Sequence, residues 1–121
     1  MPCEVSPERF DELVAEALDA IPEELGRLMD NVAVLTADTP TRAQQGRFGN
    51  LLGLYEGVAL TRRGPVSYKG VLPDRITIFR LAHCRRARDE DELRANVTRT
   101  VVHEVGHHFG ISDRRLRELG Y

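Results

Sequence analysis

The chain has few of the residues that mark secreted or membrane-spanning proteins. Only two cysteines occur, Cys3 and Cys84, in separate segments and without the spacing of metal ligands. This favours free thiols in a reducing compartment over a disulfide. No apolar run approaches the length of a membrane span, and the N-terminus lacks the basic and apolar regions of a signal peptide. We therefore expect a cytoplasmic protein with no membrane partner.

Lysine is almost absent, since Lys69 is the only one among 17 basic residues. We interpret the arginine excess as a genome bias, and the arginine clusters at 85–88 and 114–117 as solvated faces. A formal net charge of -2 provides no general attraction to nucleic acid, so we expect no nucleic-acid partner. With 41% hydrophobic and 30% charged residues, the composition is that of a globular protein. The length predicts one domain over residues 1–121.

The apolar pattern predicts a helix, three strands, a long helix and a short final helix. Ser6 and Pro7 indicate the first helix start, and Pro22 its end, after which residues 22–25 can open a further short turn. The remaining elements are predicted as strands at 31–38, 51–56 and 75–80, a long helix between Asp89 and Gly110, and a short helix at 113–119. The first strand is apolar on both faces and is predicted to be internal. This order predicts an α+β fold, with a small twisted sheet packed on the N-terminal helix and the long helix.

The strand at 75–80 alternates apolar and polar residues and comes just before the long helix. We predict an edge strand above a cleft, with a plain sheet strand as the equal alternative. An exposed edge can bind an extended peptide as one more strand, which makes Ile76, Thr77 and Ile78 candidate substrate-binding residues. The loop at 57–74 is long for so small a domain and is predicted to form a rim over the site.

The run from His103 to His107 contains the pattern H-E-x-x-H on the predicted long helix. Side chains at i and i+4 lie on the same face of a helix, so His103 and His107 can reach one ion. Neutral imidazoles suit Zn²⁺, and Glu104 is placed to act as general base on the attacking water. The apolar stripe of this helix runs from Leu93 to Phe109 at spacing four and lies on the opposite side, which argues against core histidines.

Asp113 is the predicted third ligand, because Gly110 can end the helix and turn the chain back toward the metal. Glu118 is the alternative, but the break at Gly110 favours Asp113. A chance match to the whole pattern, with Gly and Asp at their offsets, has a frequency of roughly one in ten thousand for this composition. We therefore predict a Zn²⁺ site formed by His103, His107 and Asp113.

The motif H-E-x-x-H-x-x-G-x-x-D resembles that of the zincin metallopeptidases, in particular their metzincin-like branch. More closely, the chain resembles a family of small bacterial minimal zincins regarded as possible metallopeptidases. Residues 51–57, 72–76 and Leu116 also contribute to this resemblance. It implies a zincin-like fold with a zinc-bound cleft under an edge strand, and the same three ligands and general base.

The chain departs from the larger metzincins in two ways. Their methionine turn follows the metal motif, whereas Met1 and Met29 both lie far upstream here. The subdomain that walls their cleft has no counterpart after the motif, so we expect a shallow cleft. His108 lies beside the apolar stripe and is predicted to pack rather than to bind metal. Tyr68 and Tyr121 are weak candidates for stabilising an oxyanion.

The leading interpretation is a zinc-dependent metallopeptidase that acts on a peptide or protein substrate. One alternative is a binding module in which zinc only braces the fold, but structural sites favour four protein ligands and three are evident here. Another is a metal-dependent ribonuclease. A family of small metalloproteins with that activity has Gly where Glu104 stands and a third His as ligand, so two positions argue against it.

Overall fold

The computed structural model describes residues 3–45, 51–57 and 73–121. The first half of the described chain contains helices α1 (Pro7–Asp19) and α2 (Glu23–Gly26), a 3₁₀ turn (Arg27–Met29), strand β1 (Val32–Ala37), helix α3 (Arg42–Gln45) and strand β2 (Gly53–Glu56). The second half contains β3 (Asp74–Phe79), α4 (Arg80–Arg86), α5 (Glu90–His108) and α6 (Asp113–Glu118). The predicted helices and strands are confirmed, whereas α3 and α4 were not predicted. Most of the predicted rim loop, residues 58–72, lies outside the described residues.

Both long helices begin at the residues that the sequence indicates. The Ser6 hydroxyl accepts a hydrogen bond from the Arg9 N–H at 3.1 Å, with Pro7 in the first position of α1. Asp89 accepts one from the Glu92 N–H at 2.8 Å and caps α5. These caps satisfy backbone donors that have no partner within the helix.

The sheet has the strand order β1-β3-β2, so β3 is its central strand. Strand β1 pairs with β3 in parallel and β2 pairs with it antiparallel. Of the two interpretations of residues 75–80, the plain sheet strand is confirmed and the edge strand is wrong, and the prediction of an internal β1 is wrong in the described sheet. Both sides of β3 are already paired, so a peptide cannot be added as a strand at Ile76, Thr77 and Ile78. Ile76 and Ile78 are fully buried, and Thr77 is 8% exposed.

Strand order explains why the periodicity was misleading here. The run Val-Ala-Val-Leu in β1 is as apolar as that of an internal strand, yet Leu35 is 47% exposed in the described structure. Strand β3 has polar residues at alternating positions, yet it runs between two neighbours and is buried from Ile76 to Phe79. Alternation reports the contrast between two faces of a strand, not whether its backbone edges are paired.

Helices α1 and α5 pack together and against β3 around one hydrophobic cluster. Its fully buried members include Phe10, Leu13, Leu25, Ile76, Ile78, Leu93, Val97, Val101, Val102, Val105 and Leu116. Five of these belong to α5 and fix which face of that helix points inward. Phe109 was predicted to end the same stripe, but it is 41% exposed. Phe109 is the C-cap of α5, where the helix has already ended.

Two further expectations concern the cysteines and the membrane. Cys3 and Cys84 are both buried, with free thiols in the described structure. Their segments meet in space, because the Cys3 N–H donates to the Cys84 carbonyl at 3.1 Å. Across the described ranges, no helix combines the length and the apolar character that crossing a bilayer requires.

Candidate metal centre and adjoining groove

Helix α5 ends in a turn that depends on Gly110, whose φ is +73°. The Ile111 N–H donates to the Gly106 carbonyl at 2.7 Å, and the Gly110 N–H donates to the His107 carbonyl at 3.3 Å. This pair of bonds is a Schellman motif, in which a left-handed residue lets the chain reverse. The Ser112 hydroxyl then caps α6. The predicted break at Gly110 is confirmed.

A close helix contact places Asp113 beside the end of α5. Helix α6 begins at Asp113 and packs its fully buried Leu116 on Gly106 of α5. A Cβ atom at position 106 would lie only 3.1 Å from Leu116 Cδ2. The missing side chain at Gly106 therefore lets α6 approach α5 closely.

The three predicted ligands lie at the same end of α5. The rings of His103 and His107 have centroids 5.8 Å apart, and His107 Nε2 is 3.7 Å from Asp113 Oδ1. Two donors of one tetrahedral zinc ion stand roughly 3.3 Å apart, so the second pair is close to ligand spacing. The alternative ligand, Glu118, instead lies 3.0 Å from Arg115 in an ion pair.

The three side chains do not yet form a closed ligand set. Among the residues that the structure describes, no group of three His, Cys, Asp or Glu side chains could hold a metal ion as placed. The side chains of His107 and Asp113 are 63% and 73% exposed, and exposed side chains change rotamer within nanoseconds. Two imidazoles and a carboxylate are ligands that Zn²⁺ accepts. The residue types thus fit zinc, but their described positions do not surround one ion.

Glu104 is half-buried beside these ligands. Burial raises the pKa of Glu104 above its ordinary value, while a hydrogen bond from the Tyr55 backbone and the nearby His107 act in the opposite direction. Glu104 and His103 line the same groove, which has a volume of about 320 Å³. A carboxyl group in this position can exchange a proton with a reactant in the groove.

The groove lies between α5 and strand β2. Its lining consists of Leu51, Leu52, Gly53, Arg99, Thr100, His103 and Glu104. Gly53 allows the close approach, since a Cβ atom there would lie 2.8 Å from Thr100 Cγ2. The Leu52 carbonyl accepts from the Phe79 N–H of β3 at 3.0 Å. In an antiparallel pair, successive residues alternate between bonding the partner strand and facing away from it. Since Leu52 bonds β3, the N–H and C=O groups of Gly53 and Tyr55 face away from β3.

Strand β2 therefore has the position that the sequence assigned to β3. It is an edge strand of the described sheet, and it borders the residues that carry the candidate chemistry. Gly53 and Tyr55 were not predicted as site residues. A glycine inside an apolar strand is a recognised signal of close backbone approach, so Gly53 could have been found. The contact between Tyr55 and Glu104 has no sequence signal.

His108 packs away from the metal ligands, in agreement with its predicted role. Its ring stacks on Tyr55 with centroids 3.8 Å apart, and its Nε2 lies 3.8 Å from Asp74 Oδ2. The Tyr55 hydroxyl donates to the same carboxylate oxygen at 2.8 Å. This contact ties the end of α5 to the sheet.

Tyr121, one of the two oxyanion candidates, is not among the residues that line the groove. The Tyr121 hydroxyl points toward the end of α1 and donates to the Ala20 carbonyl at 3.4 Å. Tyr68 lies outside the described residues.

Comparison with known proteins agrees with this fold. The family described as zincin-like metallopeptidases matches the chain over residues 29–121, and the protein belongs to that family. The resemblance and the zincin-like α+β fold predicted from the sequence are thereby confirmed, and the family implies zinc binding and peptidase chemistry in general.

One solved structure with the same fold is a conserved hypothetical protein from Thermo thermophilus. It is 26% identical to this chain, with a TM-score of 0.53, and the match covers 87% of this chain and 94% of the other. A comparison with curated proteins found no match.

Proposed function

We propose that this protein is a zinc-dependent metallopeptidase. His103, His107 and Asp113 bind the metal, and Glu104 is the general base. The observation that carries the proposal is the position of His103 and Glu104 together in a groove beside the edge strand β2. Family membership supports the reaction class, and the strand that borders the groove supports a peptide as substrate.

Glu104 moves the proton that peptide hydrolysis requires. When bound, Zn²⁺ lowers the pKa of water and polarises the scissile carbonyl. A carboxylate oxygen of Glu104 accepts one proton as the water oxygen bonds to the carbonyl carbon. Glu104 then delivers that proton to the amine nitrogen while the C–N bond breaks. The Tyr55 backbone N–H holds the Glu104 carboxylate in the groove during these steps.

Strand β2 binds the substrate through its backbone. Gly53 faces the groove, so an extended peptide can lie along β2 as an added strand, and this mode of binding is largely independent of sequence. The substrate class is therefore a peptide or an unstructured segment of a protein. The free thiols of Cys3 and Cys84 support a reducing compartment, and a cytoplasmic location is part of the proposal.

The variant Glu104→Gln tests this proposal. It keeps the size of the side chain but cannot accept a proton, so we expect zinc content and folding to persist. Hydrolysis of unstructured peptides should fall by about 10²–10⁴-fold, the usual contribution of proton transfer by a side chain. Peptide cleavage is measured with zinc-loaded protein. The matched control is Glu118→Gln, which removes a carboxylate from the neighbouring helix and should retain activity.

Three outcomes would contradict the proposal. Undiminished cleavage by Glu104→Gln would exclude Glu104 as the base. A wild-type protein that binds zinc fully but cleaves no peptide would favour a binding module. Cleavage of RNA without cleavage of peptide would favour the ribonuclease.

A further inference from the structure

A second cavity continues the groove along α5 toward the start of that helix. It has a volume of about 280 Å³ and combines residues of α4 and α5 with the residue before β2. We call it the arginine pocket, and it is lined by Leu52, His83, Arg86, Asn96, Arg99 and Thr100. Three of these, Leu52, Arg99 and Thr100, also line the groove that contains Glu104. The two cavities are therefore neighbouring parts of one cleft.

The two arginines of this pocket have no acidic partner. Within the described ranges, neither Arg86 nor Arg99 makes an ion pair or a side-chain hydrogen bond, whereas nearby Arg88 pairs with Glu92 at 3.2 Å. The rest of the sequence cannot supply a partner either. Residues 1–2, 46–50 and 58–72 contain no Asp or Glu. The pocket therefore presents two positive charges that no acidic side chain of the chain neutralises.

His83 adds a buried hydrogen-bonding group behind these charges. Its side chain is fully buried, and its Nε2 lies 3.2 Å from Thr100 Oγ1. Its Nδ1 has no hydrogen-bond partner in the described part of the chain, which is uncommon for a buried polar atom. Burial, with a smaller contribution from Arg86, lowers the pKa of His83 to about 4. The ring is thus neutral at pH 7 and does not add to the positive charge.

We propose that the arginine pocket binds a carboxylate of the peptide substrate, held by Arg86 and Arg99 with Asn96 as an additional hydrogen-bond donor. Guanidinium groups match the geometry of carboxylates and often bind them with two parallel hydrogen bonds. The proposal deepens the proposed peptidase function and rests on it for the class of ligand. Among the lining residues that the structure describes there is no Phe, Tyr or Trp on which a base could stack, which favours a peptide over RNA.

The position of the pocket sets the distance of this carboxylate from the scissile bond. Along α5, Arg99 lies four residues before His103, and Asn96 lies seven residues before it. These separations correspond to rises of roughly 6 and 11 Å along the helix axis. An extended peptide advances by about 3.3 Å per residue. The carboxylate should therefore lie about two or three residues from the bond that is cut. It can belong to an Asp or Glu side chain or to the C-terminus of the peptide.

Binding of labelled peptides distinguishes these sources without requiring cleavage. Three unstructured fluorescent peptides share one sequence: one with an internal Glu and an amidated end, one with Gln in its place, and one with Gln and a free C-terminal carboxylate. Their dissociation constants are measured by anisotropy on the zinc-loaded Glu104→Gln protein. Ionic strength is kept at about 0.1 M or below, so that exposed arginines are not fully screened.

We expect at least one carboxylate peptide to bind about 10- to 100-fold more tightly than the neutral peptide, the range of charge-assisted hydrogen bonds. Preference for the Glu peptide identifies a side chain, and preference for the free acid identifies the C-terminus. The double variant Arg86→Gln, Arg99→Gln should abolish the preference. Arg85→Gln is the matched control, because Arg85 is exposed, lies on the same helix and does not line the pocket.

Equal affinity for all three peptides, or no measurable binding of any, would overturn the carboxylate pocket. So would a preference that survives in the double variant. An RNA oligonucleotide that binds through these two arginines and displaces the acidic peptides would overturn it in favour of a nucleic-acid site. Peptide cleavage tests the peptidase proposal separately. If the wild-type protein cleaves peptides but binds acidic and neutral peptides equally well, only the carboxylate pocket is refuted. Charge-selective binding without any cleavage would refute only the enzyme.

Discussion

Helix α5 has two faces with opposite properties. Its core face consists of Leu93, Val97, Val101, Val102 and Val105, all fully buried. Its open face consists of Asn96, Arg99, Thr100, His103, Glu104 and His107, all half-buried or exposed. The packed face fixes the direction of the helix, and this frees the open face to carry charged and titratable groups. Substitutions on the first face should therefore change stability, and those on the second should change binding.

The largest expected effect is loss of the metal from the open face. Wild-type protein should bind about one Zn²⁺ per chain, and the double variant His103→Ala, His107→Ala should bind none. His108→Ala is the matched control, since His108 stacks on Tyr55 and should not be needed for zinc. Elemental analysis of protein purified without chelator provides the measurement. Full zinc occupancy in the double variant would refute the assignment of ligands.

Truncation of the core face should destabilise the fold without a direct effect on ligands. We expect Leu93→Ala to lower the free energy of unfolding by about 2–5 kcal/mol, because it leaves a cavity at a fully buried position. Asn96→Ala, one turn away on the open face, should change it by less than about 0.5 kcal/mol. Urea denaturation of the metal-free proteins measures both. Similar losses of unfolding free energy in the two variants would contradict the distinction between the core face and the open face.

His83 of α4 is buried and contacts Thr100 of the open face, and it should make the stability of the fold depend on pH. Its pKa is lowered to about 4 from an ordinary value of 6.5, so between these values the unfolded chain binds a proton that the folded chain does not. Stability should therefore fall as the pH falls from about 6.5 to 4, by about 2–4 kcal/mol. The variant His83→Gln should lack this component. Parallel curves of unfolding free energy against pH for the two proteins would contradict the assignment.

The smallest expected effect comes from the turn that ends the open face. Gly110→Val removes no ligand but forces a β-branched residue to a φ of +73°, at a cost of about 1–2 kcal/mol. The strained turn should displace Asp113 and weaken zinc affinity. Gly26→Val is the matched control, because Gly26 has a φ of -57° and no atom near its missing side chain. Unchanged zinc affinity in Gly110→Val would show that Asp113 does not depend on this turn.

Local features of the chain could be predicted from the sequence, whereas the pairing of distant segments could not. The caps at Ser6 and Asp89, the apolar stripe of α5 from Leu93 to Val105 and the turn at Gly110 are local features, and the structure bears them out. Strand order was predicted wrongly, because pairing depends on which segments meet in space. Helix α4 was missed: its arginine-rich sequence shows no clear stripe, although Ala82, His83 and Cys84 are buried.

The sequence by itself determined the chemistry at the end of α5. His103 and His107 share a face because a helix repeats every 3.6 residues, and the chain can reverse at Gly110 because glycine tolerates positive φ. These rules act over a few residues, so no tertiary information is needed. Only the tertiary structure decided what surrounds that chemistry. It placed β2 instead of β3 at the edge, brought the Tyr55 backbone to Glu104, and set Arg86 near Arg99 across His83. Such contacts join segments far apart in the chain, and they follow from how the whole core packs.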